Sequence, residues 1–267
     1  RLIVMTSENL SLSLSPIGFF RCPAQYPYDV PRQGSLAPEA IGTIELNDEL
    51  PCHLALKELD GFSHLWVIFW FHHNNSWRPL VSPPRHREQK VGVFASRSPY
   101  RPNPLGLSCV KLVSIDGNRI QVAGHDLLDG TPILDLKPYL PYADAIPDAA
   151  AGWTAAKPEL RYAVVLTATA ESQLAWLEAN GLDCLRNFIH NHLESEPLNA
   201  RRHRLENRTS DSASLAYRTW RADFTCDDEH RIIHVTAIRS AYAKDDLDTL
   251  EDRYGDKELH RRFVRQH

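Results

Sequence analysis

The chain has 267 residues, of which 43% are hydrophobic and 24% are charged, and its formal net charge is −4. This composition is typical of a soluble globular protein with a substantial core, and it excludes a protein that is basic throughout. The five cysteines are widely spaced and form no Cys-x-x-Cys pair, which argues against a zinc ribbon or a disulfide framework. No apolar run approaches the about 20 residues of a membrane span, and no continuous signal-peptide core is visible. We therefore expect a cytoplasmic protein.

Residues 16–142 predict mainly β structure. Seven segments are rich in β-branched, aromatic and leucine residues, and turn signals separate several of them. These candidate strands are Pro16–Cys22, Gly42–Leu46, His64–Phe71, Lys90–Ser96, Leu107–Ile115, Arg119–His125 and Thr131–Tyr139. Only Leu54–Leu59 suggests a helix. Many short strands without alternating long helices favour a barrel or a sandwich, and we expect a β-barrel domain over residues 14–155.

The second half of the chain predicts a smaller α+β domain over residues 156–243. A strand is expected at Arg161–Ala170, and helices at Glu171–Asn180 and Leu182–Leu193. The second helix has a one-sided apolar face that we assign to the core: Leu182, Leu185, Phe188, Ile189 and Leu193. The runs Leu215–Thr225 and Arg231–Ser240 are expected to pair as strands. Residues 244–267 are expected to form a charged tail, either a solvated helix or a disordered end.

The segment Gly92–Ser108 carries the most informative pattern. It contains two arginines and an asparagine that stands between two prolines. A proline disfavours the helical conformation of the residue before it, so Arg101 and Asn103 are expected to be extended. The segment is either a stiff loop that presents polar groups to a ligand or a rigid exposed connection between strands.

The segment Asp126–Tyr142 is the second informative block. Strand alternation puts Ile133, Asp135 and Lys137 on one face and Leu134 and Leu136 on the other. At a rise of about 3.3 Å per residue, Asp135 and Lys137 would lie within about 7 Å of each other. The pair is either a surface ion pair worth less than about 1 kcal/mol or part of a site.

Two dipeptides and two basic stretches complete the candidates. Arg32-Gln33 offers planar groups with several donors, suited to a carboxylate or a purine edge. His72-His73 closes a predicted strand, where neighbours point to opposite faces, so we predict no metal site.

Six Lys/Arg lie between Arg78 and Arg101 against one acidic residue, and a second cluster lies at residues 201–204. Such patches suit phosphate contacts or are ordinary solubilising surface. The chain has no G-x-G-x-x-G, P-loop or H-E-x-x-H motif.

In their order along the chain, these motifs resemble the TsaA-like family. The resemblance covers about residues 14–240 and is carried by Val30-Pro31-Arg32-Gln33, Gly61–Trp66, Trp77-Arg78-Pro79 with Pro83-Pro84-Arg85, the 92–108 segment and Asp129–Tyr142. It implies a barrel that binds S-adenosylmethionine, a small C-terminal α+β domain and a homodimer. The implied reaction is methylation of N6 of N6-threonylcarbamoyladenosine beside the anticodon, at position 37 of threonine tRNA.

The resemblance also implies roles for individual residues. The implied cofactor contacts are Pro31, Arg32, Gln33, His72, His73, Arg97, Leu107, Leu127, Leu128, Asp129 and Gly130. The residues implied near the transferred methyl group or the base are Arg101, Asn103, Asp135, Lys137 and Tyr139. The expected contacts to tRNA are Arg78, Arg85, Arg201, Arg202 and Arg204. Asp135, with Asp129 as second candidate, is expected to accept the N6 proton, and Lys137 or Arg101 to bind the threonyl carboxylate.

Two other functions are compatible with these residues. One is a barrel module that binds modified tRNA without chemistry. The other is a methyltransferase whose acceptor is another adenine or a small molecule. A measurement of S-adenosylmethionine binding distinguishes the binding module from a methyltransferase. A screen of methyl acceptors distinguishes the second function from methylation of the tRNA base.

Overall fold

The computed structural model describes residues 12–31, 33–82, 89–155, 161–194, 197–198, 204–207 and 209–267. The chain divides into two units, the first formed by Arg1–Gln25 and Pro31–Ile146 and the second by Tyr26–Val30 and Pro147–His267. Within the described ranges, no helix is long and apolar enough to cross a membrane.

The first unit is a closed β-barrel, as the sequence predicts. Its strands are β1 (Gly18–Arg21), β2 (Ile41–Leu46), β3 (His64–Trp70), β4 (Leu80–Val81), β5 (Val91–Gly92), β6 (Leu105–Asp116), β7 (Arg119–Ala123) and β8 (Pro132–Pro138), and its helices are α1 (Cys52–Ala55) and α2 (Pro141–Asp144). The barrel closes in the order β1-β2-β7-β6-β3-β8, while β4 and β5 form a separate short hairpin.

Alternating side chains fill the barrel interior. In β3, Leu65, Val67 and Phe69 are buried and the residues between them are not, which is the period of a strand with one core face. Two glycines make room for large rings. A Cβ at Gly42 would lie 2.1 Å from the Phe20 ring, and one at Gly106 would lie 2.2 Å from the Phe69 ring.

Two local predictions in this unit are wrong. The strand expected at Lys90–Ser96 is limited to Val91–Gly92 and continues as a 3₁₀ turn at Val93–Ala95. Phe94, which made the run look like a strand, is 75% exposed, and the Arg101 guanidinium lies 5.7 Å from its ring centroid. The helix expected at Leu54–Leu59 is replaced by α1 and a 3₁₀ turn at Leu59–Gly61.

The second unit is a sheet covered by helices. Its strands are β9 (Ala163–Leu166), β10 (Leu205–Glu206), β11 (Ser212–Tyr217), β12 (Trp220–Asp227) and β13 (Ile232–Ser240), and its helices are α3 (Ala168–Ala179), α4 (Cys184–Leu193), α5 (Lys244–Leu247) and α6 (Lys257–Gln266). The sheet order is β10-β11-β12-β13-β9, with β9 parallel to β13. The apolar face predicted for α4 is confirmed, since Leu185, Phe188, Ile189 and Leu193 lie in the core and Leu182 packs against it.

Three expectations for this unit differ from the structure. The run Leu215–Thr225 is divided by a two-residue turn between Tyr217 and Trp220, which pair with each other. The strand expected at Arg161–Ala170 ends at Leu166, because Thr167 caps α3 by accepting a hydrogen bond from the Ala170 amide at 3.3 Å. The expected charged tail contains α5 and α6, and α6 buries Phe263 in the core of this unit.

Candidate active site

Three connections of the first unit meet at one end of the barrel, which we call the loop end. Strands β1, β3 and β7 end there, while β2, β6 and β8 begin there, as their antiparallel registers require. The connections are residues 22–40, 71–104 and 124–131. Each connection contains residues for which the family resemblance implies contact with the cofactor.

The first connection is held against the third by a close backbone approach at Gly34. A Cβ at this position would lie 1.9 Å from the Gly124 carbonyl oxygen. Any side chain would therefore push the two loops apart. Pro31 and Gln33 both precede Gly34 in the chain, and Gln33 is the residue directly before the 3₁₀ turn Gly34–Leu36. Arg32 lies outside the described residues.

The third connection contains a carboxylate that the sequence analysis did not assign. Asp126 is half-buried, and the Ser108 hydroxyl donates a hydrogen bond to its Oδ1 at 2.5 Å. Burial raises the pKa of Asp126, and the Ser108 hydrogen bond and the charge of Arg97 oppose that shift. Shifted carboxyl groups of this kind are common at functional sites. In the sequence, the one indication of a role for Asp126 was its position directly before Leu127, the first of the implied cofactor contacts in this connection.

The rest of the third connection is well ordered by backbone contacts. Leu127 is buried in the barrel core, and Leu128 accepts a hydrogen bond from the Thr131 amide. Asp129 accepts a hydrogen bond from the Cys22 amide at 3.2 Å, and its own amide donates to the Ala24 carbonyl. Gly130 has φ +71°, and a Cβ there would meet no atom within 4 Å. The loop therefore presents an open backbone surface.

The histidine pair of the second connection does not belong to a strand. β3 ends at Trp70, and His72 and His73 follow in a turn with their ring centroids 3.9 Å apart. The expectation that they point to opposite faces is therefore wrong. Burial lowers the pKa of His72, and the charge of His73 lowers it further. No group of three or more metal-ligating side chains occurs in the described part of the chain.

The arginine-rich loop of the second connection is held by its own side chains. The Arg101 guanidinium donates from Nη1 to the carbonyls of Val93 and Ser96 at 3.1 and 2.8 Å. Arg97 is exposed beside this turn, and Asn103 is also exposed. Arg101 thus fixes the backbone that carries Arg97 through its Nη1, and its expected contact with the substrate stays a prediction.

A β-bulge in β8 changes the face assignments made from the sequence. Ile68 pairs with Asp135 but Phe69 pairs with Ile133, so Leu134 is the extra residue. Ile133 and Leu136 both pack in the core, whereas strict alternation had put them on opposite faces. Asp135 and Lys137 share the outer face as expected, with Oδ2 and Nζ 3.1 Å apart.

Across the outer face, the strand register aligns Asp135 with Leu107. Ile68 pairs with Asp135 on one side and with Leu107 on the other. At about 4.8 Å between neighbouring strands, the Cα atoms of Asp135 and Leu107 lie about 10 Å apart. Lys137 lies two residues further from the loop end than Asp135 and pairs with Trp66. Tyr139 lies beyond β8, with its ring 5.7 Å from that of Trp66.

The structure describes two of the five predicted basic contacts. Arg78 lies over the Tyr100 ring at 4.8 Å, within the second connection. Arg204 belongs to the second unit and lies over the Tyr28 ring at 4.1 Å. Arg85, Arg201 and Arg202 lie outside the described residues.

Comparison with known proteins identifies relatives of this chain. The model of the tRNA-methyltransferase O N-terminal domain matches residues 19–145. A tRNA (adenine(37)-N6)-methyltransferase of Escherichia coli is 38% identical over 221 residues, which are 80% of this chain and 91% of that protein. The chain belongs to the tRNA-methyltransferase O family.

Further similarities agree with membership of the tRNA-methyltransferase O family. A crystal structure of TrmO from Pseudomonas aeruginosa superposes with a TM-score of 0.63 at 32% identity, covering 86% of this chain and 99% of that chain. A putative S-adenosylmethionine-dependent methyltransferase RcsF of Pseudomonas aeruginosa is 46% identical over 143 residues, 52% of this chain and 60% of that protein. The family is one of S-adenosylmethionine-dependent tRNA methyltransferases.

The chemistry of the loop end fits the cofactor of the tRNA-methyltransferase O family. S-adenosylmethionine carries an ammonium, a carboxylate, a sulfonium and an adenosyl group. Asp126 is an acceptor for cationic groups, and Arg97 is a donor for a carboxylate. The backbone at Gly130 is free for close approach. His125 adds a buried Nδ1 that has no hydrogen-bond partner among the described residues.

Proposed function

We propose that the chain methylates N6 of N6-threonylcarbamoyladenosine at position 37 of threonine tRNA. The observation that carries the proposal is the convergence of three motif-bearing connections at the loop end, with Asp135 in register with Leu107 on the adjoining face. The Escherichia coli relative is named for methylation of N6 of adenine 37. The threonylcarbamoyl group and the threonine tRNA come from the resemblance of the motifs.

S-adenosylmethionine supplies the methyl group from its sulfonium. We assign its binding to the loop end, where Pro31, Arg32 and Gln33 belong to the first connection, His72, His73 and Arg97 to the second, and Leu127–Gly130 to the third. Leu107 adjoins them at the start of β6. Positioning by such loops accelerates a methyl transfer because both reactants are held in line.

Asp135 is the proposed acceptor of the N6 proton. Its Oδ1 accepts a hydrogen bond from the Leu136 amide at 2.9 Å, and its Oδ2 faces Lys137. These partners hold the Asp135 carboxylate in place. Each oxygen keeps a further lone pair that a substrate can reach, since the side chain is 49% exposed. Asp129, the second candidate, is tied to the Cys22 amide and serves to hold its loop.

Lys137 is the proposed ligand of the threonyl carboxylate. Its ammonium is 62% exposed and already faces a carboxylate, so a substrate carboxylate is a chemically similar partner. Arg101, the alternative, has its Nη1 engaged by two backbone carbonyls. We assign Asn103 and Tyr139 to positioning of the base, because both flank this face and carry groups that form hydrogen bonds or stack.

A homodimer is part of the proposal. Trp70 and Leu105 are each 43% exposed and pair with each other on the outer face of strands β3 and β6. A contiguous exposed apolar patch on a sheet marks an interaction surface. Sedimentation of the wild-type protein and of Leu105→Glu tests this point. The variant is expected to sediment as a monomer, and a monomeric wild type contradicts the proposed dimer.

The testing experiment measures transfer of labelled methyl from S-adenosylmethionine to threonine tRNA with and without the threonylcarbamoyl group. Label on the modified tRNA alone supports the proposal, whereas label on both tRNAs contradicts the acceptor. Absence of label while tRNA is bound favours a module without chemistry. Asp135→Asn is expected to slow single-turnover transfer by about 100-fold or more. Asp116→Asn, at the far end of β6, is the matched control and should retain the wild-type rate.

A further inference from the structure

Two tyrosines of the second unit stack on each other, and an arginine lies over each ring. The rings of Tyr26 and Tyr28 are parallel within 1°, with centroids 5.2 Å apart. The Arg218 guanidinium lies 5.3 Å from the Tyr26 ring centroid, and the Arg204 guanidinium lies 4.1 Å from the Tyr28 ring centroid. We call these four residues the Arg–Tyr stack. Its outer end is exposed at Arg218 and Tyr26, while Tyr28 and Arg204 at its inner end are half-buried.

The tyrosines are held in a tight turn that is docked to the sheet. The Asp29 carboxylate accepts hydrogen bonds from the Tyr26 amide at 3.0 Å and from the Tyr217 hydroxyl at 2.9 Å. Asp29 and Tyr217 are both buried. Burial raises the pKa of Tyr217, and the charge of Asp29 adds to this shift, so the phenol remains a hydrogen-bond donor. The Tyr26–Asp29 turn is therefore rigid before any ligand binds, which lowers the entropic cost of binding.

Arg218 is held from the other side by the C-terminal segment. It occupies the two-residue turn between β11 and β12 with φ +52°, a conformation that favours glycine or asparagine. The next residue, Thr219, donates a hydrogen bond to the Asp256 carboxylate at 2.6 Å and contacts His260 at 2.9 Å. The Arg218 carbonyl accepts a hydrogen bond from Arg221 at 3.1 Å. The first position of a two-residue hairpin turn requires a positive φ, so a glycine could replace Arg218 without strain, while the arginine exposes its guanidinium there.

The chemistry of the Arg–Tyr stack suits an RNA base. Within the described residues, neither Arg204 nor Arg218 forms an ion pair with a carboxylate. The Arg218 guanidinium is planar, exposed and lies over the Tyr26 ring, and nucleobases stack on arginine and aromatic side chains. Bases in a paired helix have no free face, whereas the bases of an anticodon loop do.

We infer that the outer face of Arg218, supported by Tyr26, binds an unpaired nucleobase of the tRNA, so that the second unit contributes to selecting the loop to be methylated. This inference rests on the proposed function for the identity of the RNA. Helix α6 and its N-cap residue Asp256 act as a positioning element, because they hold the Thr219 side chain and hence the turn that carries Arg218.

The test measures affinity for the unmodified anticodon stem-loop of a threonine tRNA, and for an RNA duplex of equal length, by fluorescence anisotropy at one salt concentration. Arg218→Gly removes the guanidinium and relieves the positive φ. Its thermal midpoint should equal or exceed that of the wild type, while its affinity for the stem-loop falls about tenfold. Arg218→Lys retains the charge without the flat face and should show a similar loss. Duplex binding should be unchanged in both variants.

Two further variants complete the comparison. Tyr26→Phe keeps the stacked ring and should bind like the wild type, whereas Tyr26→Ala should bind about tenfold more weakly. Arg253 lies 5.5 Å over the Tyr254 ring, so Arg253→Ala removes the same charge from a matched Arg–Tyr pair outside the stack. It should leave stem-loop affinity unchanged.

The outcomes separate this inference from the proposed function. Recovery of affinity in Arg218→Lys, or an equal loss in Arg253→Ala, would show that charge alone binds the RNA and would overturn the inference. The same holds if Arg218→Gly binds the stem-loop like the wild type while the wild type methylates tRNA. A wild-type protein that neither binds nor methylates tRNA contradicts the proposed function itself.

Discussion

Protonation of His260 is expected to destabilise the second unit below neutral pH. The His260 side chain is fully buried and stacks on Trp220 with ring centroids 3.7 Å apart. Its Nδ1 and Nε2 contact the hydroxyls of Ser240 and Thr219 at 2.7 and 2.9 Å. Burial lowers the pKa of His260 to about 4, although the charges of Asp256 and Asp252 oppose the shift. The imidazole is therefore neutral in the folded protein.

The sign and the size of the effect follow from the two protonation states. In the unfolded chain the histidine pKa is about 6.5, so between pH 6.5 and 4 the unfolded state binds more protons than the folded state. The stabilisation is fully present above pH 6.5 and is lost as the pH falls toward the folded value. With a folded pKa of about 4, the loss is about 2 kcal/mol by pH 5 and about 3 kcal/mol by pH 4.

Hydrogen exchange measures this loss in the second unit alone. Peptides from β12 and β13 should lose about 20-fold in protection between pH 7 and pH 5, after correction for the intrinsic exchange rate. Peptides from β3 of the barrel serve as the internal reference. His260→Gln cannot titrate in this range, so its protection should depend much less on pH, even if its overall stability is lower. Equal pH dependence in the wild type and the variant would refute the reasoning.

Three further predictions concern the loop end. Asp126→Asn should raise the stability of the barrel at pH 7, because burial disfavours the charged carboxylate. Calorimetry of S-adenosylmethionine binding to this variant should show at least about tenfold weaker affinity, and unchanged affinity would exclude a cofactor role. Gly34→Ala should destabilise the barrel by about 1–3 kcal/mol and weaken cofactor binding, whereas Gly61→Ala, where a Cβ meets no atom within 4 Å, should change neither in the same assays. Arg101→Ala should raise the KM for S-adenosylmethionine about tenfold by freeing the turn at residues 93–96, and a change in kcat alone would contradict a positioning role.

Local patterns in the sequence were sufficient for most strands and for the core helix. The alternation of β3 and the one-sided apolar face of α4 reflect burial of one face of a regular element, which depends only on the period of the backbone. Motif order was also sufficient to indicate the family. The cofactor residues could be named in this way because they lie in short contiguous motifs, although their contacts with the cofactor are still predictions.

Other features depended on contacts between residues far apart in the chain. Phe94 lies in an apolar run but is exposed, because no helix or strand of the described residues packs on its ring. The basic and acidic composition of residues 244–267 suggested a solvated tail, yet α6 places Phe263 in the core and His260 beside Trp220. A few apolar residues on one face of a charged helix decide how it packs. The overall composition of the segment does not show on which face these residues lie.

The sequence by itself therefore determined the family, the strand-rich first half and the chemical types gathered in its motifs, because each of these is encoded in adjacent residues. Only the tertiary structure decided which groups act together. Closure of the barrel brings three distant connections to one end, the bulge at Leu134 sets the face of Asp135, and the departure of Tyr26–Val30 into the second unit forms the Arg–Tyr stack. Strand register and docking of a loop are set by long-range packing and hydrogen bonding, which no local pattern specifies.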